Sequence, residues 1–324
     1  MDVIMSDALL KIACYRCGQR LDLSDLEPFS KVECPNCAAE ITVPRWFDSS
    51  YLLEDICGSG LIWTTYRALD VTLDREVAIK VLKSDFAVKA PGLDEIFLEK
   101  GRMMARLNHP AIIGIYHCGE FEDQSYLVMQ YMPNGSMREA MNGPIPLTCG
   151  EKLKWMRQVA QGLQEAQRLG VEHYDVCPDV IMLDLERNVR IGDFGLTAAF
   201  SNLGLYRERL DYFSPERLGG MLETYSSDIY SLGVTMYELF AGTMPFKDVA
   251  SPMEALRERS SKLNLQRSGR RDMPEELLSL ITRMLAQSPA DRPGYAEIIS
   301  VLENGTLFSE DCSDTGSFWK KLFG

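Results

Sequence analysis

The sequence predicts an α+β fold in which a small β-rich segment precedes a larger domain. Its 324 residues are too many for one small domain and suit about two. Segments with strand character, such as 51–56 and 77–80, lie in the first 130 residues. Segments with helical character, such as 149–169 and 229–241, lie mostly after them.

The composition is that of a globular protein with an acidic balance. Hydrophobic residues make up 46% of the chain and charged residues 25%, both ordinary values for a soluble domain. The 34 basic and 47 acidic residues give a net charge of −13. This charge argues against nonspecific binding to nucleic acid or to anionic membranes.

Targeting and redox signals favour a cytoplasmic protein. The N-terminus carries Asp2 and Asp7 and lacks a long apolar run, so no signal peptide is expected. The most apolar stretch, 229–241, is too short and too polar to span a bilayer. Nine cysteines, four of them in two CxxC pairs, suit a reducing cytosol with a metal site better than a disulfide framework.

Four cysteines near the N-terminus are candidate zinc ligands. They are Cys14, Cys17, Cys34 and Cys37, and 16 residues separate the two pairs. Two such knuckles complete a tetrahedral shell of thiolates, which leaves no open position and so predicts a structural rather than a catalytic zinc. Gly18 suits the left-handed turn that follows the first pair. The segment 1–45 resembles a zinc ribbon; a degenerate ribbon without metal is the alternative.

The ribbon segment is expected to bury apolar residues around its metal. The candidates are Leu21, Leu23, Leu26 and Val32, followed by a closing strand at 41–43. Residues 1–45 hold five basic and seven acidic side chains, a balance that disfavours a phosphate-binding face. Contact with another protein, or support of the fold, is the favoured role.

Two motifs further along the chain carry candidate chemistry. Residues 173–180 read His-Tyr-Asp-Val-Cys-Pro-Asp-Val, and an Asp-Phe-Gly triplet at 193–195 begins 15 residues after Pro178. Together they resemble the catalytic loop and the metal-binding motif of protein kinases. By motif order and spacing, residues 46–304 resemble a bacterial serine/threonine protein kinase along their whole length. The resemblance implies a two-lobed kinase fold.

The resemblance also implies a nucleotide site that uses ATP and Mg²⁺. Its nucleotide-binding positions are Gly58, Gly60, Ala78, Lys80, Met129, Met132, Met182 and Asp193. In the family Lys80 would pair the phosphates, Met129 would be the gatekeeper and Asp193 would hold magnesium. Lys80 and Asp175 are the candidate catalytic residues.

Several positions depart from the kinase pattern. They are Trp63 for the third loop glycine, Lys100 for the glutamate that pairs with the strand lysine, Tyr174 for arginine, Cys177 for lysine, Val180 for the metal-binding asparagine and Arg209 for the activation-segment threonine. Glu99 precedes Lys100 but is rotated about 100° around the predicted helix 94–107. A helix shift would be needed for Glu99 to replace the missing carboxylate.

Other positions match residues that support the kinase fold. Glu216 and Arg292 are expected to form a buried pair, and Asp228 is expected to anchor the backbone of the catalytic loop. The resemblance also implies an apolar column between the lobes, made of Met104, Ile115, His173 and Phe194. These residues argue for the fold and not for activity.

Two functions follow from these patterns. The favoured one is a pseudokinase with weak or no ATP binding that acts as a signalling scaffold or allosteric module and binds other signalling proteins. The alternative is a weakly active or unconventional serine/threonine kinase. Cys177 is interpreted as a plain small residue, with a reactive thiol as the alternative.

The end of the chain, 305–324, is predicted to be a flexible acidic linker with an aromatic and basic end. That end reads Phe318-Trp319-Lys320-Lys321-Leu322-Phe323. It suits a peptide that docks on a partner or on a membrane surface, and equally a terminus that packs on its own domain.

Overall fold

The described residues fall into two units. The computed structural model describes residues 10–84, 92–196, 200, 210–247, 251–260 and 273–303. The first unit contains 1–105 and 115–131, and the second contains 106–114 and 132–324. Most strands lie in the first unit and most helices in the second, so the predicted α+β fold is confirmed.

The described part of the chain contains twelve strands. They are β1 (Lys11–Ala13), β2 (Arg20–Asp22), β3 (Lys31–Glu33), β4 (Glu40–Thr42), β5 (Arg45–Phe47), β6 (Tyr51–Ser59), β7 (Trp63–Asp70), β8 (Arg75–Leu82), β9 (Ile115–Phe121), β10 (Gln124–Gln130), β11 (Ile181–Leu183) and β12 (Val189–Ile191). β1 pairs with β2, β3 with β4, and β11 with β12. The remaining six form one antiparallel sheet in the order β5-β6-β7-β8-β10-β9.

The two short hairpins β1–β2 and β3–β4 share a core with the large sheet. We call this core the ribbon cluster, and its buried members are Leu10, Cys14, Leu23, Cys34, Ala39, Ile41, Val43 and Leu52. Leu52 belongs to β6, and the partly buried Trp46 and Leu69 of β5 and β7 pack against the same cluster. The cysteine segment and the sheet therefore bury apolar surface together.

The strand β5 joins the segment 10–44 to the sheet. Trp46 of β5 lies opposite Leu52 of β6. Before β5, the ring of Phe29 stacks on Tyr66 of β7 with a centroid distance of 5.6 Å and an interplanar angle of 22°. After β5, the carboxylate of Asp48 accepts a hydrogen bond from the hydroxyl of Tyr126. Contacts on both sides of β5 thus tie the cysteine segment to this sheet.

Eight α-helices lie in the described residues. They are α1 (Leu93–Met104), α2 (Met137–Asn142), α3 (Cys149–Arg168), α4 (Pro215–Leu218), α5 (Tyr225–Ala241), α6 (Pro252–Ser260), α7 (Glu275–Met284) and α8 (Tyr295–Glu303). Thr148 caps α3: its hydroxyl accepts from the amide of Glu151 at 3.2 Å, and the Glu151 carboxylate accepts from the Thr148 amide at 3.0 Å. This reciprocal pair satisfies two amides that a helix start leaves unbonded.

The helix α5 is the core element of the second unit. Every residue from Ser226 to Ala241 is buried. A β-carbon added at Gly233 would lie 2.9 Å from the β-carbon of Met284 in α7. The absence of a side chain at Gly233 therefore allows α5 and α7 to approach closely.

Three details differ from the sequence predictions. The predicted helix 94–107 runs from Leu93 to Met104. The helix predicted at 229–241 begins earlier, at Tyr225, because the hydroxyl of Thr224 caps its first turn. Leu26, expected to cover the metal site, lies in a turn and is 39% exposed. Among the described helices, none is long and apolar enough to cross a membrane.

Candidate functional site

The four predicted zinc ligands come together. Their Sγ atoms all lie within 4.8 Å of one another. The Cys14–Cys37 and Cys17–Cys34 Sγ pairs are each 3.7 Å apart. A tetrahedron with Zn–S bonds of about 2.3 Å has edges of about 3.8 Å, whereas a disulfide needs about 2.05 Å. The donor set and its spacing therefore fit a tetrahedral Zn²⁺ site.

Each cysteine knuckle closes with a residue in the left-handed conformation. Gly18 has φ 72°, as its residue type suggested, and its amide donates to the Cys14 carbonyl at 2.9 Å. Ala38 takes the same role after the second pair, with φ 54° and a 2.9 Å bond to the Cys34 carbonyl. Sequence reasoning missed Ala38 because alanine rarely adopts this conformation. The side chain of Asn36 hydrogen-bonds Cys17 and, with other donors, lowers the pKa of that thiol to about 6.

The predicted phosphate-binding lysine lies on β8 beneath an aromatic ring. Lys80 is 5% exposed. It lies opposite Thr65, and Trp63 lies opposite Leu82. Trp63 and Lys80 are therefore diagonal neighbours on one face of the β7–β8 pair, within reach of long side chains. The Lys80 Nζ lies 4.6 Å from the centroid of the Trp63 ring, which is cation–π geometry.

The loop between β6 and β7 is held by hydrogen bonds. The Gly60 amide donates to the Trp63 carbonyl at 3.0 Å. The Lys83 amide donates to the Ile62 carbonyl at 2.9 Å, and its Nζ donates to the Gly60 carbonyl at 2.6 Å. Gly58 lies opposite Thr65 in the β6–β7 pair. The role of Lys83 in holding this loop was not predicted, because nothing in its local sequence indicates these hydrogen bonds.

The helix α1 presents no carboxylate at the predicted ion-pair position. Its apolar side chains Leu93, Phe97 and Met104 are buried. Lys100 is partly buried, and Glu99 lies on the exposed side of the helix. In α1 the position of the family's glutamate is therefore occupied by Lys100.

Four further predicted nucleotide-binding positions are placed by backbone bridges and hydrogen bonds. In the first unit, Ala78 and Met129 lie opposite each other on β8 and β10, and both are 6% exposed. In the second unit, the Met132 carbonyl accepts from the Gly135 amide at 3.4 Å, and Met182 forms an isolated bridge with Ser136.

The catalytic-loop segment is anchored by Asp228 of α5, as predicted. Its carboxylate accepts from the amides of His173 at 2.7 Å and Tyr174 at 2.6 Å. Burial raises the pKa of Asp228 to about 7, and the two amides oppose that shift. Burial also raises the pKa of Tyr174 to about 12. Arg217, which was not predicted, donates to the Tyr174 carbonyl.

The two altered positions in the loop point into protein. Cys177 is fully buried and Val180 is 5% exposed. The Val180 amide donates to the Cys177 carbonyl at 3.3 Å, and its carbonyl accepts from the Gly192 amide at 3.1 Å. The backbone of the loop is thus well bonded, but the Val180 side chain has no oxygen to offer a metal ion. Asp175, the candidate catalytic residue, is 2% exposed.

The Asp-Phe-Gly triplet lies beside the catalytic loop. The His173 ring lies 4.6 Å from the Phe194 ring, and its Nε2 is 2.7 Å from the Gly192 carbonyl. The Gly195 amide donates to the His173 carbonyl at 3.1 Å. Asp193 has φ 64° and is partly exposed, so its carboxylate is the retained candidate for a magnesium ligand. Two members of the predicted apolar column, His173 and Phe194, belong to the second unit and contact each other there.

The comparison with known families assigns this architecture. A model described as the protein kinase domain matches residues 51–301. The chain belongs to the protein kinase family. The kinase domain thus covers most of the chain after the cysteine segment.

Several curated bacterial kinases are similar to this chain. Serine/threonine-protein kinase PrkC of Bacillus subtilis is 31% identical over 256 residues, which cover 76% of this chain and 39% of PrkC. PknL of Mycobacterium tuberculosis is 33% identical over 259 residues, or 78% of this chain and 64% of PknL. PknB of Mycolicibacterium smegmatis is 30% identical over 266 residues, or 78% and 42%. The chain therefore spans between 39% and 64% of the length of these relatives.

The kinase domain also contains the predicted buried ion pair. Arg292 contacts both carboxylate oxygens of Glu216, at 2.6 and 2.8 Å, and the Ser227 hydroxyl donates to Glu216 at 2.7 Å. Burial alone would raise the pKa of Glu216, but the Arg292 and Ser227 hydrogen bonds outweigh it and lower that pKa. The pair joins α4 to the segment after α7 and supports the fold.

Two predicted features of the kinase chain lie outside the described residues. They are Arg209 in the activation segment and the whole tail 305–324.

Proposed function

We propose that this kinase-family chain is a pseudokinase that acts as a signalling scaffold or allosteric protein-interaction module, with weak or no ATP binding. The observation that carries the proposal is the pair of side chains in the catalytic loop. Val180 and Cys177 are buried where the family pattern has a metal-binding asparagine and a lysine. The loop keeps its backbone anchor to Asp228 but lacks these two polar groups.

The loss of these two polar groups is expected to slow phosphoryl transfer, which favours a scaffold over an enzyme. Phosphoryl transfer depends on positioning and on neutralising charge with metal ions and cations. Loss of one electrostatic donor of this kind typically costs about 10²–10³ in rate. Such losses are not additive when residues act as a unit. One such loss would lower a usual kinase rate of about 1–100 s⁻¹ to about 10⁻³–1 s⁻¹.

A weakly active serine/threonine kinase is the second candidate. The names of PrkC, PknL and PknB favour it, because all three are called serine/threonine-protein kinases. Retention of Lys80, Asp175 and Asp193 also favours it. With Asp193 retained and Val180 unable to ligate, any use of Mg²⁺ would rest on fewer protein ligands than in the family pattern.

The proposal also covers the metal site, the cellular compartment and the partners of this module. The four-cysteine site would hold one structural zinc and keep the ribbon folded. Among the described residues, Cys57, Cys118, Cys149 and Cys177 are thiols outside the four-cysteine site and not half-cystines, which suits a reducing cytoplasm. Partners would be other signalling proteins, and the tail 305–324 is a candidate docking segment for one of them or for a membrane surface.

A radiolabelled phosphate-transfer assay tests the proposal. We expect background transfer to generic protein substrates and to the chain itself, with no change in an Asp193→Ala variant. Asp25→Ala is the matched control, because Asp25 is an exposed aspartate of the cysteine segment, far in sequence from the catalytic loop. Transfer that disappears in Asp193→Ala or Asp175→Asn, but persists in the control, would establish the enzyme instead. Gain of transfer in a Cys177→Lys, Val180→Asn double variant would support the pseudokinase assignment.

A further inference from the structure

The contact between Trp63 and Lys80 places an aromatic ring on the group that kinases use to bind phosphate. In the family, the strand lysine neutralises nucleotide phosphates. Here its ammonium lies 4.6 Å from the Trp63 ring centroid, and Lys80 is 5% exposed. Because both side chains project from the same face of β7–β8, the strand register itself brings them together.

The surrounding loop supports this position of the ring. The backbone carbonyl of Trp63 accepts from the Gly60 amide, and Lys83 holds the loop through bonds to Gly60 and Ile62. Ile62, next to Trp63, is 2% exposed and fixes the chain at that point. These bonds fix the backbone of Trp63, and moving the indole away from Lys80 would cost the cation–π contact.

The base-binding side of the site does not depend on this lysine. Ala78 and Met129 are paired apolar residues on β8 and β10, and apolar walls of this kind suit a purine ring. A phosphate that approaches the ammonium from the side of the ring would, in contrast, have to displace the indole. A partly desolvated cation–π contact corresponds to roughly a 5- to 30-fold penalty on phosphate binding.

We infer that Trp63 shields Lys80 from nucleotide phosphates, so that the site recognises an adenine nucleoside through its base and gains nothing from the phosphates. This inference rests on the proposed function, because it names the ligand class that a pseudokinase site of this kind accepts. Adenosine is then expected to bind at least as tightly as ATP, with or without Mg²⁺.

Calorimetric titration of adenosine, ADP and ATP into the full chain tests the shielding. In Trp63→Gly, ATP affinity should rise roughly 10-fold relative to adenosine, and Trp63→Phe should fall between Gly and wild type. Trp46→Phe, a tryptophan of β5 that does not contact Lys80, is the matched control and should leave the ratio unchanged. The melting temperature of each variant shows that it is folded.

A second substitution completes the cycle. Lys80→Met should not change ATP affinity in the wild-type background, because the ammonium is already covered, but it should remove the gain seen in Trp63→Gly. An ATP affinity at least 10-fold above that of adenosine in the wild type overturns the inference, and so does a folded Trp63→Gly variant that binds ATP no better. These binding ratios are separate from phosphate transfer, so an active enzyme would overturn the proposed function without deciding the shielding.

Discussion

Loss of the proposed zinc is expected to destabilise the kinase N-terminal unit and not only the cysteine segment. The perturbation is Cys34→Ser, which removes one of four thiolates from a closed site. The reason lies in the ribbon cluster, where Cys34 shares a buried core with Leu52 of β6. If the cysteine segment unfolds, Leu52 loses its cover and the Phe29–Tyr66 stack is broken.

The size of the effect follows from these contacts. Exposing a buried leucine costs about 1.5–3 kcal/mol, and losing a stacked ring pair costs about 0.5–1.5 kcal/mol more. The sheet would therefore lose about 2–4 kcal/mol in addition to the free energy of metal binding itself. For a unit of about 120 residues this corresponds to a fall in melting temperature of roughly 8–16 °C.

Calorimetry measures the melting temperature, and metal analysis measures the zinc content. Purified wild-type protein, prepared without chelator, should contain one zinc per chain, and Cys34→Ser should contain none and melt earlier. Cys57→Ser, an exposed cysteine outside the cluster, is the matched control and should keep both zinc and melting temperature. Loss of zinc with an unchanged melting transition would show that the cysteine segment does not support the sheet. Absence of metal from the wild type would refute the zinc site.

Three further predictions concern stability. The pKa of Glu216 is lowered in the folded state, so its charge stabilises the fold at pH values above its ordinary pKa of 4.5, and this contribution is lost as the pH falls through the lowered pKa. Glu216→Gln should cost about 3–5 kcal/mol at pH 7, because Arg292 stays buried without its charged partner, and the melting temperature of this variant should fall less steeply in acid. Gly233→Ala should lower the free energy of unfolding by up to about 2 kcal/mol in denaturant titrations, because overpacking against α7 costs about 1–3 kcal/mol and the gain in helix propensity is about 1 kcal/mol. A higher stability of the variant would contradict the close approach. Ala38→Gly should stabilise by about 0.5–1 kcal/mol and Gly18→Ala should destabilise by a similar amount, because both positions are left-handed; the opposite order of melting temperatures would exclude this conformation.

Local patterns were readable from the sequence because they depend on near neighbours. The spacing of Cys14, Cys17, Cys34 and Cys37 predicted a four-thiolate site, and its sulfur distances fit zinc. Thr148 followed by Glu151 has the local chemistry of a helix cap, and the cap is formed. The order of motifs from Gly58 to Arg292 predicted the kinase fold, which the family match confirms.

Features that depend on strand pairing and packing were decided only by the tertiary structure. The pairing of β5 with β6 and the stacking of Phe29 on Tyr66 join residues far apart in sequence, so no local pattern marks them. The left-handed Ala38 was hidden because alanine carries no signal for that conformation. The bulk of Trp63 was visible in the sequence, but its place over Lys80 required the register of β7 with β8, since a shift of one residue would turn the ring to the other face of the sheet.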